Sequence, residues 1–138
     1  MRILVVPLAV AAIALTSCAA TPAETARAES QRAAQQAALT KELDGLTARE
    51  TKTCLSPFDT RSASIKAYGP AIVYRVSDRL KYVSNTTGGC ESIDNGDILV
   101  TVSNAGQLCS GDFGRTVQPG SRIPTGSCAL GDFTVYRK

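Results

Sequence analysis

Ala71-Ile-Val-Tyr-Arg-Val-Ser-Asp-Arg-Leu-Lys-Tyr-Val-Ser84 is the stretch that decides the fold. Ile72, Tyr74 and Val76 alternate against Arg75, the period of two that a half-buried strand needs, since successive side chains point to opposite faces. Ser77-Asp78 then turns the chain. Arg79–Ser84 follows as a second strand with Leu80 and Tyr82 on one face. Working outward, Ser62–Ala67 runs into the turn Tyr68-Gly69-Pro70, and Asn85–Gly89 is a polar loop. Asp97–Ser103 is rich in β-branched residues and alternates Ile98, Val100 and Val102. Asp112–Val117 and Asp132–Arg137 are shorter runs of the same kind. Short β-rich runs punctuated by Gly, Pro and Asn predict a mainly β fold, a small antiparallel sheet or barrel of about six strands.

The segment ahead of these strands has a different character. Thr21-Pro22-Ala23-Glu24 is a helix start: Thr21 can accept from the Glu24 amide while Glu24 reaches back to the Thr21 amide, and Pro22 occupies the first helical position, where a missing N–H costs nothing. An Ala- and Gln-rich run of good helix formers continues to about Leu43. Its only large apolar residues are Leu39 and Leu43, with Leu46 just beyond, so most of the helix has nothing to bury. Gly45 marks its end. The reading is a helical stalk; without a sustained heptad, a coiled coil is the weaker alternative.

The chain begins with Arg2 and an apolar run, Ile3–Ala14, too short to cross a hydrocarbon core of about 30 Å as a helix. Leu15-Thr16-Ser17-Cys18 follows. A leucine three positions before a cysteine, with a small residue directly before it, resembles the lipobox of bacterial lipoproteins. That resemblance implies a signal peptide over 1–17, cleavage before Cys18 and a lipid on its sulfur. Ala19, rather than Asp, then follows the lipidated residue, which by resemblance to Gram-negative lipoproteins implies an outer-membrane anchor facing the periplasm. The expected organisation is a signal peptide over 1–17, a lipidated N-terminus and stalk over 18–50, and a β-rich disulfide-bonded domain over 51–138.

With Cys18 set aside, Cys54, Cys90, Cys109 and Cys128 remain. An even number outside the cytoplasm reads as two disulfides. The chain has no histidine and no C-x-x-C pair, so neither a metal nor another cofactor is expected. Loop entropy is worth roughly 3–5 kcal/mol for each bridge and does not choose among the pairings. A nested arrangement, Cys54–Cys128 with Cys90–Cys109, is expected because it would tie both ends of one compact domain together. Two bridges are a natural supplement to a core this small.

From Cys54 onward the chain carries nine Lys/Arg and seven Asp/Glu, and 19–53 carries five of each. Such balance has no electrostatic footprint for nucleic acid. Without histidine there is no Ser-His or Cys-His couple. Paired carboxylates, Asp94 with Asp97 or Asp112, are the remaining route to acid–base chemistry.

Gly-Asp-apolar occurs three times after a cysteine: Gly96-Asp97-Ile98, Gly111-Asp112-Phe113 and Gly131-Asp132-Phe133. Each reads first as a turn entering a strand. The alternative is a ligand site sharing Asp97, Asp112 and Asp132 as candidate contacts. Asp94-Asn95-Gly96-Asp97 has the opening of a calcium loop, but Ile98-Leu99-Val100 stands where further oxygen ligands belong, so a tight turn is expected. Tyr68, Tyr74, Tyr82 and Tyr136 are candidates for a binding face, although aromatics at strand spacing usually pack.

From about Leu43 onward the chain resembles an uncharacterised family of small proteobacterial envelope proteins. The matching stretches are Gly45-Leu46-Thr47-Ala48, Cys54-Leu55, Lys81-Tyr82-Val83-Ser84-Asn85, Gly88-Gly89-Cys90, Leu108-Cys109-Ser110-Gly111-Asp112 and Cys128-Ala129-Leu130-Gly131-Asp132-Phe133. The family's common Gly-Arg pair is Gly45-Leu46 here. The resemblance implies a single domain and supplies no activity. The sequence therefore reads as a lipid-anchored envelope protein with a non-catalytic binding or structural module, its partners being the membrane and an envelope protein or glycan. An inhibitor of an exogenous hydrolase and a small carboxylate enzyme are the alternatives.

Overall fold

The computed structural model describes residues 21–103 and 106–138. Cys18 and the signal segment lie outside the described residues. Helix α1, Pro22–Glu42, starts at its capping box: the Glu24 amide donates to the Thr21 hydroxyl at 3.3 Å and the Thr21 amide donates to the Glu24 carboxylate at 2.8 Å. Then come β1 (Thr47–Lys52), β2 (Cys54–Leu55), α2 (Pro57–Arg61), β3 (Ser64–Tyr68), β4 (Ala71–Ser77) and β5 (Leu80–Asn85). A 3₁₀ turn (Glu91–Asn95) leads to β6 (Ile98–Thr101), β7 (Leu108–Cys109), β8 (Phe113–Val117), β9 (Pro124–Ala129) and β10 (Phe133–Arg137).

The main sheet is antiparallel with the order β1-β10-β5-β4-β3. Two-residue connections make its central hairpins: Tyr68 pairs with Ala71 across Gly69-Pro70, and Ser77 pairs with Leu80 across Asp78-Arg79. Gly69 has φ +60, the positive value that the first position of such a turn favours. The last strand, β10, enters the middle of the sheet between β1 and β5, so both ends of the β region are paired.

Both faces of this sheet are covered, and period-two alternation divides its residues between them. Ala67, Ile72, Tyr74, Tyr82, Phe133 and Val135 face an inner cluster completed by Leu55, Cys90, Ile93, Leu108, Cys128 and Leu130. Tyr74 and Phe133 meet edge to face at 5.8 Å. On the other face Tyr68, Ala71, Val73 and Val83 pack with Leu39, Leu43 and Tyr136. The end of α1 is therefore docked on the sheet rather than free as a stalk, which explains why Val73 is buried along with Ile72 and Tyr74. Of the four tyrosines, Tyr68, Tyr74 and Tyr82 are core residues.

The dock includes a charged cluster. Glu42 sits against the buried Lys81 ammonium, with Nζ to Oε1 2.6 Å, and the same ammonium donates to the Glu42 carbonyl at the helix end. The Tyr68 hydroxyl donates to Glu42 at 3.0 Å, and Arg75 lies 3.9 Å from it. Burial pushes the Glu42 carboxyl up, but the hydrogen bonds from Lys81 and Tyr68 and the charges of Lys81 and Arg75 outweigh it, so its pKa falls below the ordinary value.

Behind the inner face lie two smaller sheets, β2-β7 and β6-β8-β9. The fold is mainly β and antiparallel with a helix in front, as expected, and its sheets are open. Ten strands replace the six read from the pattern. The additional ones are β1, β2, β7 and β9. Because β1 begins at Thr47, the sheet also takes residues that the sequence reading assigned to the 18–50 stalk.

All four cysteines are bridged, but the nested pairing is wrong. The bonds are Cys54–Cys109 and Cys90–Cys128, an interlaced pattern. Cys54 lies directly opposite Cys109 in the β2-β7 ladder. Cys90 reaches Cys128 because the backbone at Gly89 runs against β9: a Cβ at Gly89 would lie 2.3 Å from the Ser127 carbonyl oxygen, and one at Gly126 only 1.9 Å from the Gly89 carbonyl oxygen. Two glycines thus admit the close approach that the second bridge requires.

Candidate functional site

The three-stranded sheet presents the least expected surface. In β6 the alternation runs with Leu99 and Thr101 half-buried and Ile98 and Val100 exposed, at 52% and 47%; Val102, just beyond the strand, is 70% exposed. The register sets Ile98 opposite Val117 and Val100 opposite Arg115. The Val102 amide donates to the Phe113 carbonyl at 3.4 Å, which brings Phe113, also 70% exposed, onto the same face. Gly114 explains the inward turn of Leu99, since a Cβ there would lie 2.8 Å from the Leu99 Cδ1. An outward row of four large apolar side chains results, with the exposed Arg115 among them. Among the described residues no carboxylate pairs with Arg115.

This face ends at an open edge. The Val102–Phe113 bond makes alternate residues of β6 the ones bonded to β8, so Leu99 and Thr101 turn their backbone groups the other way. Among the described residues no strand pairs with that side of β6. The other edges are managed differently. β1 carries Arg49, Glu50 and Lys52, β3 is flanked by the 3₁₀ turn, and the far side of β9 is closed by Thr87, which bonds Ala129 in both directions. Charge and cover are the usual guards on a strand edge; Ile98–Thr101 carries no charged side chain, and among the described residues no strand covers its outer side.

Of the aspartates singled out by sequence, Asp97 and Asp112 have hydrogen-bonded carboxylates. The Asp97 carboxylate accepts from the Thr125 hydroxyl, which also contacts the buried Thr116 hydroxyl at 2.9 Å. Asp112 accepts from the Cys109 amide at 2.7 Å, closing its own turn. The turn of Asp112 lies beside that of Asp132: the Gly111 amide donates to the Leu130 carbonyl and the Leu130 amide to the Asp112 carbonyl. The two Gly-Asp-Phe copies are therefore neighbours, but their glycines do different work. Gly111 has φ +88, whereas Gly131 passes against the backbone of Asn85, where a Cβ would lie 2.2 Å from the carbonyl oxygen. Asp94 lines a separate hollow with Lys66 and Tyr68. Among the described residues no three His, Cys, Asp or Glu side chains come together as a metal site, and no helix is long and apolar enough to cross a membrane.

The alternation in 97–103 is legible in the sequence, but which of its two phases faces outward is not. The signal was present in Gly114 and Leu99, which only the β6-β8 register brings together. Compared with protein-family models, with curated proteins and with solved structures, the chain gives no match.

Proposed function

We propose that this is a lipid-anchored envelope protein, held through Cys18 in the outer membrane, whose β domain is a non-catalytic protein-binding module. The observation that carries the binding role is the outward apolar row of Ile98, Val100, Val102 and Phe113 beside the uncharged edge of β6. Exposed apolar patches bordered by polar surface are characteristic of interaction sites, and an open edge accepts an extended segment through main-chain hydrogen bonds. The partner that fits is an envelope protein presenting an extended apolar segment to β6, with a carboxylate to meet the unpaired Arg115. The lipobox and the bridged cysteines support the placement outside the cytoplasm.

The test is affinity purification from detergent-solubilised envelopes through a C-terminal tag. Wild type and an Arg49→Asp control on the β1 edge should retain the same discrete protein. Val100→Asp and Arg115→Glu should lose it while keeping wild-type melting behaviour. Retention unchanged in both face variants contradicts the reading. So does binding of a non-lipidated Cys18→Ser protein to phospholipid vesicles that Val100→Asp abolishes, since the face would then serve the bilayer.

A further inference from the structure

The two bridges join cysteines that are not neighbours in the chain. Cys54 bonds to Cys109 past Cys90, and Cys90 bonds to Cys128 past Cys109, with separations of 55 and 38 positions. Cys109 lies at half the shorter of these separations from both Cys90 and Cys128, and halving a loop favours its closure roughly threefold. Chain proximity therefore favours the wrong partners, and only the finished fold favours the right ones. Cys54 meets Cys109 through a β2-β7 ladder of two residue pairs. Cys90 meets Cys128 where Gly89 runs against β9. The main sheet is completed by β10, the last strand of the chain, which lies between β1 and β5. None of these contacts can form until the C-terminal third of the chain is present. A chain delivered N-terminus first thus offers Cys54 and Cys90 to each other before either native partner arrives.

We infer that this chain is a folding substrate of a dithiol disulfide isomerase, which converts consecutive bridges, Cys54–Cys90 and Cys109–Cys128, into the interlaced pair. The exchange needs no net oxidant. The isomerase thiolate attacks the Cys54 sulfur, forms a mixed disulfide there and releases Cys90 as a thiolate. Cys90 attacks the Cys128 sulfur, which forms Cys90–Cys128 and releases Cys109. Cys109 then attacks the Cys54 sulfur, which forms Cys54–Cys109 and returns the isomerase thiolate. Two disulfides enter and two leave. Burial sets the order of events. Cys90 and Cys128 are 2% and 3% exposed and belong to the same inner cluster as Phe133 and Val135. Their bond must be made before that core closes, and a chain held by Cys54–Cys90 cannot close it. Cys54 and Cys109 are only half-buried, so their bond can be made last. The inference goes beyond the binding role and takes from the envelope reading only the compartment in which the exchange occurs.

The test is oxidative refolding of the full chain in detergent, with Cys18→Ser to remove the fifth thiol. The reduced, denatured protein is oxidised with glutathione disulfide, quenched by alkylation at intervals and mapped by mass spectrometry. Cys54–Cys90 and Cys109–Cys128 should appear first. Their conversion to the native pair should be accelerated about tenfold or more by a purified Cys-x-x-Cys disulfide isomerase. Two control chains carry one native pair each, Cys54→Ser with Cys109→Ser and Cys90→Ser with Cys128→Ser. Neither offers a wrong partner, so whichever of them folds should form its bond at a rate the isomerase changes less than about twofold. Native bridges forming first in the four-cysteine chain, conversion at the same rate with and without isomerase, or equal acceleration of a control overturns the inference. Cys18 takes no part in this experiment, so a failure of the lipid-anchor reading leaves its outcome unchanged.

Discussion

Glu42 is the residue on which the helix dock turns. Its carboxylate meets the buried Lys81, the Tyr68 hydroxyl and Arg75. Since its folded pKa lies below the ordinary 4.5, its contribution is complete above the unfolded value and disappears as pH falls through the folded one. Glu42→Gln should cost about 2–3 kcal/mol at pH 7, because it leaves the Lys81 charge buried without its counter-ion. The gap between variant and wild type should narrow as pH falls below the ordinary carboxylate range and wild-type Glu42 is protonated in its turn. Burial and the hydrogen bond to Glu42 push the Tyr68 phenol up to about 12, so the same cluster is lost from the alkaline side only as pH rises through that value. Denaturant titrations of both proteins at several pH values check this; a gap independent of pH contradicts it. Gly126 makes a second test at this scale. A Cβ there meets the Gly89 carbonyl oxygen, and overpacking backbone against backbone should make Gly126→Ala lose about 3 kcal/mol or more. An unchanged melting point would contradict the close approach.

Among the elements, β10 has the greatest structural weight. It pairs with β1 on one side and β5 on the other and contributes Phe133 and Val135 to the inner core. Removing Phe133–Lys138 should split the main sheet and abolish cooperative unfolding, whereas removing Thr21–Gln31 from α1, ahead of the docked turns, should change stability by less than about 1 kcal/mol. Thermal melts of the two truncations separate these outcomes. What was legible in the sequence follows the same division. β4 and β5 were readable because large apolar residues alternate with polar ones, and α1 because its capping box is local. β1 and β9 were not, since Thr47-Ala-Arg-Glu-Thr-Lys52 and Pro124-Thr-Gly-Ser-Cys-Ala129 carry almost no large apolar side chains. Their strand character comes from pairing with β10 and β8, which is tertiary. The exposed sense of β6 was hidden for a related reason: alternation reports a period, and only packing reports which phase is buried.

At the scale of the whole molecule, the interlaced bridges tie together segments far apart in the chain. Cys54–Cys109 closes β2 onto β7, and Cys90–Cys128 ties the 3₁₀ turn to β9. Each spans a loop long enough to be worth about 4 kcal/mol. Peptide mapping without reductant should recover these two links, and a nested link of Cys54 to Cys128 would contradict the register of β2 and β7. The result is one body with a helix on one side of the main sheet and, on the other, a small sheet whose outer face stays apolar and open. A chain anchored by lipid at Cys18 would carry that face into the periplasm. Photocrosslinking in intact cells tests this most directly, with a photoreactive residue placed either at Phe113 on the face or at Arg49 on the charged β1 edge. The account predicts one discrete protein adduct from position 113, lost when Val100→Asp is added, and none from position 49. No adduct from either position, or the same adducts from both, would contradict it.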